Sequence, residues 1–322
     1  MKNQDRALLI LKQIKGIGIN TLNKIPETVL EKLDNPKDIQ EYLKSAKIAY
    51  KRECVANISL DEIKIAMEKA NTILCKDLEK DVQFITKFDQ EKYPLQFKRL
   101  EHQPPFFFAR GDVPILKSPG IAVIGTRVPS TEAYMRGMAL TEKIVAAGFS
   151  VVSGLALGAD SCAHNSCINA GGKTIAVVPS SVHKIYPQEN KALANRILEQ
   201  GGCVISEYPF GHRIVTSDFI ARDRLQSGLA MGVAVLETAV DGGSMHAVET
   251  AWKINIPVGL LEFAEEYYLR NRQAGGNRKF LAEKKGFPLS TDESIAYFLN
   301  QCQQKSDIWQ NNLQIGCEQK LF

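Results

Sequence analysis

Short runs of apolar residues, each about the length of one buried strand, recur along the middle of the chain. Between residues 121 and 263 they alternate with longer helical segments. This alternation predicts an α/β fold built on a doubly wound, mostly parallel sheet. The predicted strands are Ile121–Ile124, Ser150–Val152, Thr174–Val178, Cys203–Ile205, Val233–Leu236 and Pro257–Leu261.

The first 80 residues have a different pattern, which predicts helices almost throughout. Leu8, Leu9, Leu11 and Ile14 form an apolar stripe at helical spacing. The last twenty residues are polar and predict an irregular tail. We therefore predict three parts of the chain: a small helical domain at 1–80, an extended α/β domain at 81–300 and a tail at 301–322.

The segment Ile14–Leu22 within the helical part resembles a helix-hairpin-helix turn. Gly16 and Gly18 would allow a tight turn that exposes backbone amides to a DNA phosphate. The simpler interpretation is a capped turn between two packed helices, and a single copy of the motif favours that interpretation.

The aromatic run Phe106–Phe108 also has two interpretations. Three consecutive rings could form a platform on which nucleic-acid bases stack. The pattern favours instead a buried strand that covers an edge of the sheet.

Composition narrows the class of protein. The 322 residues suffice for one large domain and a smaller one. The net charge of +4 permits nucleic-acid binding, but without a dense basic block any such binding must use a local basic face. No apolar run approaches the roughly 20 residues of a membrane helix, and no secretory signal is evident. Seven cysteines, an odd number, fit reduced thiols in the cytoplasm.

Four loops that follow predicted strands carry the candidate chemistry. The carboxyl ends of parallel strands share one sheet edge, where exposed backbone amides and helix N-termini favour phosphate. Arg127 adds a guanidinium that fits phosphate oxygens. The first loop lacks the spaced glycines of a dinucleotide fingerprint, and no acidic residue ends the next strand as a ribose ligand, so a nicotinamide cofactor is disfavoured. We expect no cofactor. The loops are Gly125–Arg127, Ser153–Asp160, Pro179–His183 and Asp241–Ser244.

Within the first, second and fourth loops we take eleven residues as candidate phosphate ligands, Arg127 among them and most of the others glycines or small residues. They are Gly125, Thr126, Arg127, Ser153, Gly154, Leu155, Ala156, Gly158, Gly242, Gly243 and Ser244.

Asp160 and His164 lie at the start of the helix that follows the second loop. Asp160 suits a helix N-cap. His164 could contact a phosphate or be a satisfied core histidine. Cys162 and Cys167 diverge from His164 on a helix and no second ligand pair follows, so we expect no metal site.

Arg222 and Arg224 precede the strand Val233–Leu236. At this spacing one arginine could face the cleft and the other could pair with Asp218 or Glu207. A solvated helix face is the alternative.

Several motifs, in one order along the chain, resemble the DNA-processing protein A family (DprA, also called Smf). They lie between about Phe84 and Asn300, two-thirds of the chain, and their number makes the resemblance specific. They are Ile124–Arg127 with Ser130, Ser153–Asp160 with His164, Gly171–Val178, Tyr186–Asn190, Ser206–Gly211, Phe219–Ala230 and Gly275–Phe280.

The resemblance implies an extended Rossmann-like fold that binds single-stranded DNA, forms a homodimer and helps to load a RecA-type recombinase. It implies no enzymatic chemistry and no membrane. Arg127 would contact phosphate, with Ser130 in the same motif, and Arg222 or Arg224 would brace or extend the groove.

Some residues depart from the family pattern. Leu157 stands where an arginine is usual, Gln188 where a basic residue is common, and Asp223 where the family has asparagine. No winged-helix domain is expected after residue 300. These departures predict a divergent member with weaker DNA binding or another ligand.

The competing prediction is enzymatic. Asp241–Glu249 resembles a loop of nucleotide phosphoribohydrolases, in which a glutamate acts on the ribosyl bond. Glu249 would be that catalytic residue, although Met245 and His246 replace the expected glycine and threonine. A nucleotide-sensing module is a further alternative.

Overall fold

The structure is a computed structural model that describes residues 1–46, 49–50, 53–54, 57–78 and 81–318. It begins with a mainly helical segment, as predicted, although a short antiparallel strand pair interrupts it. The elements of this segment are α1 (Asn3–Gln13), α2 (Ile19–Lys24), α3 (Glu27–Leu30), α4 (Pro36–Ser45), β1 (Ala49–Tyr50), β2 (Glu53–Cys54) and α5 (Leu60–Leu78).

The turn between α1 and α2 supports the simpler of its two interpretations. Gly16 adopts a φ of +99°, a conformation that a side chain would disfavour. Ile14 and Ile17 on either side are buried. Lys87 donates to the carbonyl oxygens of Leu22 and Asn23 at the end of α2. The turn is therefore packed against the rest of the protein.

The main sheet of the described chain contains nine strands, and it includes every strand that the sequence predicts. Five predicted strands begin and end within one residue of those observed, and the predicted strand Val233–Leu236 begins three residues after the observed start at Ala230. The strands are β3 (Val82–Thr86), β4 (Phe106–Gly111), β5 (Gly120–Ile124), β6 (Ser150–Ser153), β7 (Thr174–Val177), β8 (Cys203–Ser206), β9 (Ala230–Val235), β10 (Val258–Leu261) and β11 (Phe287–Leu289).

The strand order is β11-β10-β9-β5-β6-β7-β8-β4-β3. Strands β5 to β11 are parallel, whereas β3 and β4 form an antiparallel pair at one edge. From β5 the chain adds strands to one side as far as β8 and then crosses to β9 on the other side. The carboxyl ends of the paired strands β5 and β9 thus form a topological switch point, where α/β sheets bind their ligands.

Helices cover both faces of this doubly wound sheet. Successive residues of a strand point in opposite directions, so an entirely apolar strand presents apolar side chains to both faces. In β5, Ile121 and Val123 join the apolar cluster on one face, while Ala122 and Ile124 join the cluster on the other. The helices are α6 (Thr131–Ala146), α7 (Ala159–Asn169), α8 (Lys191–Glu199), α9 (Thr216–Leu229), α10 (Met245–Lys253), α11 (Glu265–Arg270), α12 (Gly275–Ala282) and α13 (Asp292–Glu318).

The aromatic run in β4 is buried, as the strand interpretation predicts. Phe107 and Phe108 have no exposed surface and Phe106 only 4%. Phe84 packs against both Phe106 and Phe108 at ring-centroid distances of 5.1 and 5.2 Å. These rings are therefore core residues and not a stacking platform for bases.

The predicted irregular tail is wrong as far as Glu318. Helix α13 runs from Asp292 to Glu318 without a break at residue 300. Cys302 and Ser306 are buried, and the guanidinium of Arg99 lies 5.1 Å from the ring centre of Trp309. The last four residues lie outside the described residues. Apolar packing thus holds this helix against the protein.

The proposed domain boundary at residue 80 does not separate two cores. A single apolar cluster contains Leu8 and Leu22 from the helical segment together with Phe106 and Val204 from the sheet.

Across the described ranges, no helix is both long and apolar enough to cross a bilayer.

Candidate nucleic-acid interface

An open cleft of about 310 Å³ lies at the carboxyl ends of β5 and β9, at the topological switch point. We call it the switch-point cleft. One side comes from the loop after β5 and the other from the loop that leads into α10. Helix α9 and Ala156 complete it. Its lining includes Gly125, Thr126, Arg127, Ala156, Phe219, Arg222, Asp223, Gln226, Thr238, Gly242, Gly243 and Ser244.

Arg127 is the exposed cation of this cleft. Its guanidinium carbon lies 5.2 Å from the centre of the Phe219 ring, a cation–π contact that orients the side chain. Within the described chain no carboxylate pairs with it. The charge of Arg127 is therefore available to an anion in the cleft.

The loop before α10 offers backbone donors on the other side of the cleft. In the described chain, the N–H groups of Gly243 and Ser244 have no acceptor. Gly243 faces open space, since a Cβ added there would meet nothing within 4 Å. The positive end of the dipole of α10, which begins at Met245, adds to this field. This edge can bind a phosphate.

Close backbone contacts place the loop after β5. The Thr126 N–H donates to the Glu237 carbonyl at 2.7 Å, so this amide is already paired. Gly158 has a φ of +77°, and a Cβ there would lie 2.4 Å from the Arg127 carbonyl oxygen. A glycine is thus required where the loop after β6 crosses Arg127.

The structure corrects several predictions in the loop after β6. Ser153 is fully buried, and its hydroxyl donates to the Val123 carbonyl at 2.7 Å. Leu155 is a core residue, and Gly154 is covered by Arg222. Ser153 and Leu155 reach no part of the site, whereas Gly154 lines only the small pocket beside the switch-point cleft. Ala156 does line it, and its amide donates to Asp160 at 3.2 Å.

Asp160 is not the N-cap of α7, because that position is Gly158. It lies in the first turn and is almost fully buried. Burial raises its pKa, and the neighbouring Arg222 opposes that shift.

Arg222 is buried and braces the cleft from within. Its Nη1 donates to the Val177 carbonyl at 3.0 Å and lies 3.7 Å from Asp160. Its Nε lies 3.1 Å from Asp223. Only 6% of its surface is exposed, and two carboxylates balance its charge. Arg222 thus lines the cleft with a charge that is already balanced, a position that favours the bracing role over direct contact with phosphate.

Arg224 points away from the cleft. It forms a two-pronged ion pair with Glu207, with both N–O distances 2.6 Å, and its Nε donates to the His102 carbonyl. The prediction that it binds phosphate is wrong because its donors are already used. The alternative in which one arginine pairs with Glu207 is confirmed.

His164 is a core histidine with no exposed surface, so it cannot reach a phosphate. Its Nδ1 is paired, whereas its buried Nε2 has no hydrogen-bond partner in the described residues. The side chain is fully buried, and Nδ1 lies 2.7 Å from the Thr174 hydroxyl. That hydroxyl already donates to the Val151 carbonyl, so His164 must carry its proton on Nδ1. Burial, assisted by Arg222, lowers the pKa of His164 to about 3.

We therefore expect the His164 imidazole to stay neutral, with its proton on Nδ1, from pH 8 down to about pH 4. Because folding lowers the pKa of His164 from about 6.5 in the unfolded chain, the folded state is favoured fully above about pH 6.5. This stability is lost as the pH falls toward the folded pKa of about 3. Nitrogen-15 NMR of the ring reports both tautomer and titration. A midpoint near pH 6 would contradict the assignment.

The third loop forms a small neighbouring pocket of about 70 Å³. Pro179 lines it together with the exposed Leu157 and Tyr186, and it shares Arg127 and Phe219 with the switch-point cleft. The Tyr186 and Phe219 rings meet edge to face at 5.8 Å. The two pockets thus form one continuous groove on either side of Arg127.

Ser130 caps α6 and supports the cleft from behind. Its hydroxyl accepts the Ala133 N–H at 3.0 Å and contacts the Tyr267 hydroxyl, and its N–H donates to Glu237 at 2.8 Å. Glu237 is fully buried and also accepts from Asn271. Ser130 therefore holds the structure of this loop and does not line the cleft.

Glu249 lies on the exposed face of α10 and outside the lining of the switch-point cleft. The residue on which the hydrolase prediction depends is therefore separated from the candidate ligand site.

Sequence reasoning missed three lining residues on α9, namely Phe219, Asp223 and Gln226. With Arg222 they occupy positions i, i+3, i+4 and i+7, which share one face of a helix. That spacing is readable in the sequence and also excludes Arg224 from the same face.

A sequence profile described as DNA recombination-mediator protein A matches residues 83–299. The chain belongs to this family. Both the predicted DprA/Smf family and the predicted doubly wound fold are confirmed.

Individual family members agree. Protein Smf of Synechocystis is 33% identical over 181 residues, which cover 55% of this chain and 45% of that protein. The chain thus spans about half the length of such relatives. DprA of Streptococcus pneumoniae superposes with a TM-score of 0.74 over 92% of this chain and 98% of that one, and at 24% identity it shows the fold. DprA of Helicobacter pylori, described for its single-stranded DNA binding mode, matches with a TM-score of 0.59 at 28% identity over 69% of this chain and 96% of that one.

Proposed function

We propose that this protein binds single-stranded DNA through phosphate contacts in the switch-point cleft and acts as a recombination mediator without enzymatic chemistry. The observation that carries the proposal is the exposed Arg127 across the cleft from the amides of Gly243 and Ser244. In the part of the chain that the structure describes, no carboxylate pairs with this arginine and no acceptor pairs with these amides. Phosphate contacts from arginine and backbone amides position a strand without reading its sequence.

The groove also has the features of a single-strand site. Such sites combine a cationic track with aromatic rings against which bases stack. Phe219 and Tyr186 flank Arg127 in this way, and Tyr186 is 45% exposed. The H. pylori relative, described for single-stranded DNA binding, supports the same ligand class.

A salt titration of binding to a labelled oligonucleotide tests the proposal. We expect the logarithm of the affinity to fall linearly with the logarithm of the salt concentration, with a slope of about −0.7 for each phosphate that the protein neutralises. The single strand should bind more tightly than the matching duplex. Affinity that does not change with salt, or a preference for the duplex, would refute phosphate-mediated single-strand binding.

The partners and the compartment belong to the same proposal. We propose a homodimer that hands single-stranded DNA to a RecA-type recombinase in the cytoplasm. The family assignment supports these partners. The free thiols of Cys75, Cys162, Cys167, Cys203 and Cys302 suit a reducing compartment.

A further inference from the structure

The buried residues Arg222, Asp223 and Gln226 form the floor of the switch-point cleft. We propose that this floor recognises the N1–H and 2-amino donors of guanine, so that the cleft binds a guanine nucleotide with the phosphate toward Arg127. This inference rests on the proposed function, because it names the nucleotide that the same site prefers. It assigns a role to Asp223, at which the chain departs from the family pattern.

The floor presents acceptor atoms that have no partner in the described part of the chain. Asp223 Oδ1 accepts from Gln226 Nε2 at 3.0 Å and lies 3.1 Å from Arg222 Nε. Among the described residues, no hydrogen bond reaches its other oxygen, Oδ2. Because a carboxylate only accepts, Gln226 must turn its Nε2 toward Asp223, which leaves Oε1 as a buried acceptor without a hydrogen-bond partner in the described residues. Gln226 is only 2% exposed, and a buried polar atom without a partner costs free energy.

Charge decides the orientation of a nucleotide in this cleft. The buried floor holds Arg222 between the carboxyl groups of Asp160 and Asp223, so a phosphate would meet acids there. Burial raises the pKa of Asp223 to about 6, so its carboxylate is still ionised at pH 7.5. The rim holds Arg127 and the free amides of the loop before α10. The phosphate therefore belongs at the rim and the base at the floor.

The chemistry of the floor selects among the bases. Guanine presents two adjacent donors, N1–H and the 2-amino group, which match a carboxylate oxygen and a carboxamide oxygen. Adenine and cytosine each place a ring-nitrogen acceptor beside their amino group, and thymine places carbonyl oxygens on both sides of N3–H. Two well-placed hydrogen bonds to a base edge discriminate against the wrong base by on the order of tenfold or more.

The test measures binding of the full chain to short oligothymidylates that carry one variable nucleotide. We expect deoxyguanosine to bind on the order of tenfold more tightly than deoxyadenosine, with deoxyinosine, which lacks the 2-amino group, in between. 7-Deazadeoxyguanosine should match deoxyguanosine, because it keeps both donors. Equal affinity for all bases would overturn the inference, and so would a loss of affinity with 7-deazadeoxyguanosine, which indicates readout of N7.

The variant Asp223→Asn should abolish the guanine preference, because the asparagine amide replaces an acceptor with a donor. The control Asp241→Asn removes an exposed acid from the adjacent loop and should change the affinity for all bases equally. If Asp223→Asn does not fold, the affinities of the unaltered protein for the deoxyguanosine, deoxyinosine and 7-deazadeoxyguanosine oligonucleotides still test guanine recognition. A guanine preference retained by folded Asp223→Asn would overturn the assignment.

Competition with free guanosine monophosphate separates this inference from the proposed function. Displacement of the guanine oligonucleotide by the monophosphate, but not by adenosine monophosphate, supports guanine recognition. Binding of guanosine monophosphate without any binding of single-stranded DNA would refute the proposed function and leave the guanine site standing. Binding of DNA with equal affinity for every base would refute the guanine site and leave the proposed function standing.

Discussion

Replacing Arg127 with alanine is expected to weaken binding of single-stranded DNA by roughly 10- to 100-fold, whatever the sequence, since a hydrogen bond to a charged group contributes about 1.5–3 kcal/mol. The salt slope should become shallower by about 0.7 for the lost phosphate contact. The melting temperature should hardly change, because the Arg127 side chain is exposed and its aromatic contact is with Phe219 at the edge of the cleft. Fluorescence anisotropy over a range of salt concentrations measures both quantities.

Two variants sharpen this test. Arg127→Lys keeps the charge but loses the planar group that lies on Phe219 and binds phosphate with two donors, so it should give intermediate affinity. Lys253→Ala removes one exposed positive charge at the far end of α10 and should leave affinity nearly unchanged. Equal losses in the Arg127 and Lys253 variants would show that overall charge, and not the cleft, determines binding.

Replacing Arg222 with alanine should destabilise the protein by about 3–5 kcal/mol, the usual cost of removing one partner from a buried ion pair. Asp160 and Asp223, both more than 90% buried, would then lack a cation, and the Val177 carbonyl would lose its donor. Arg222 lowers the pKa of both acids. Without it their folded pKa values rise further, so the added destabilisation should be larger at pH 8 than at pH 5. Chemical denaturation at both pH values measures this difference.

Gly154 provides the matched control for Arg222. A Cβ at Gly154 would lie 1.2 Å from Arg222 Nη1, although the backbone of Gly154 is not left-handed. Gly154→Ala should therefore destabilise the normal protein and add less in an Arg222→Ala background, in which Asp160 Oδ2, 2.7 Å from the added Cβ, is the remaining close contact. Additive effects of the two substitutions would show that the guanidinium is not what requires a glycine at this position.

The regular elements were predictable because buried parallel strands read as short apolar runs. The run at Ile121–Ile124 and the glycine that follows it locate both a strand and its ligand-facing end, and Arg127 stands there without a competing acid. The strand β11 was not predicted from the sequence because Phe287–Leu289 is short and contains a proline. The end of the chain has a polar sequence, yet α13 buries Phe298, Cys302 and Ser306 among the residues whose side chains are described.

Residues of the candidate site were harder to predict because burial depends on tertiary contacts. Ser153 and His164 are polar and lie beside the loop, but their partners, Val123 and Thr174, come from neighbouring strands. Arg222 and Arg224 differ by two positions on one helix, about 200° apart, so they face opposite surroundings. Helical spacing from Phe219 distinguishes them, whereas residue type alone does not.

Amide chemical shifts of the nitrogen-15-labelled protein, followed while a short oligothymidylate is added, test the central claim most directly. The switch-point cleft predicts the largest changes at Arg127, Gly243 and Ser244, whose backbone and side chain would meet the phosphates. Unchanged signals at these three residues, with shifts confined to the turn between α1 and α2, would place the DNA elsewhere and contradict the account.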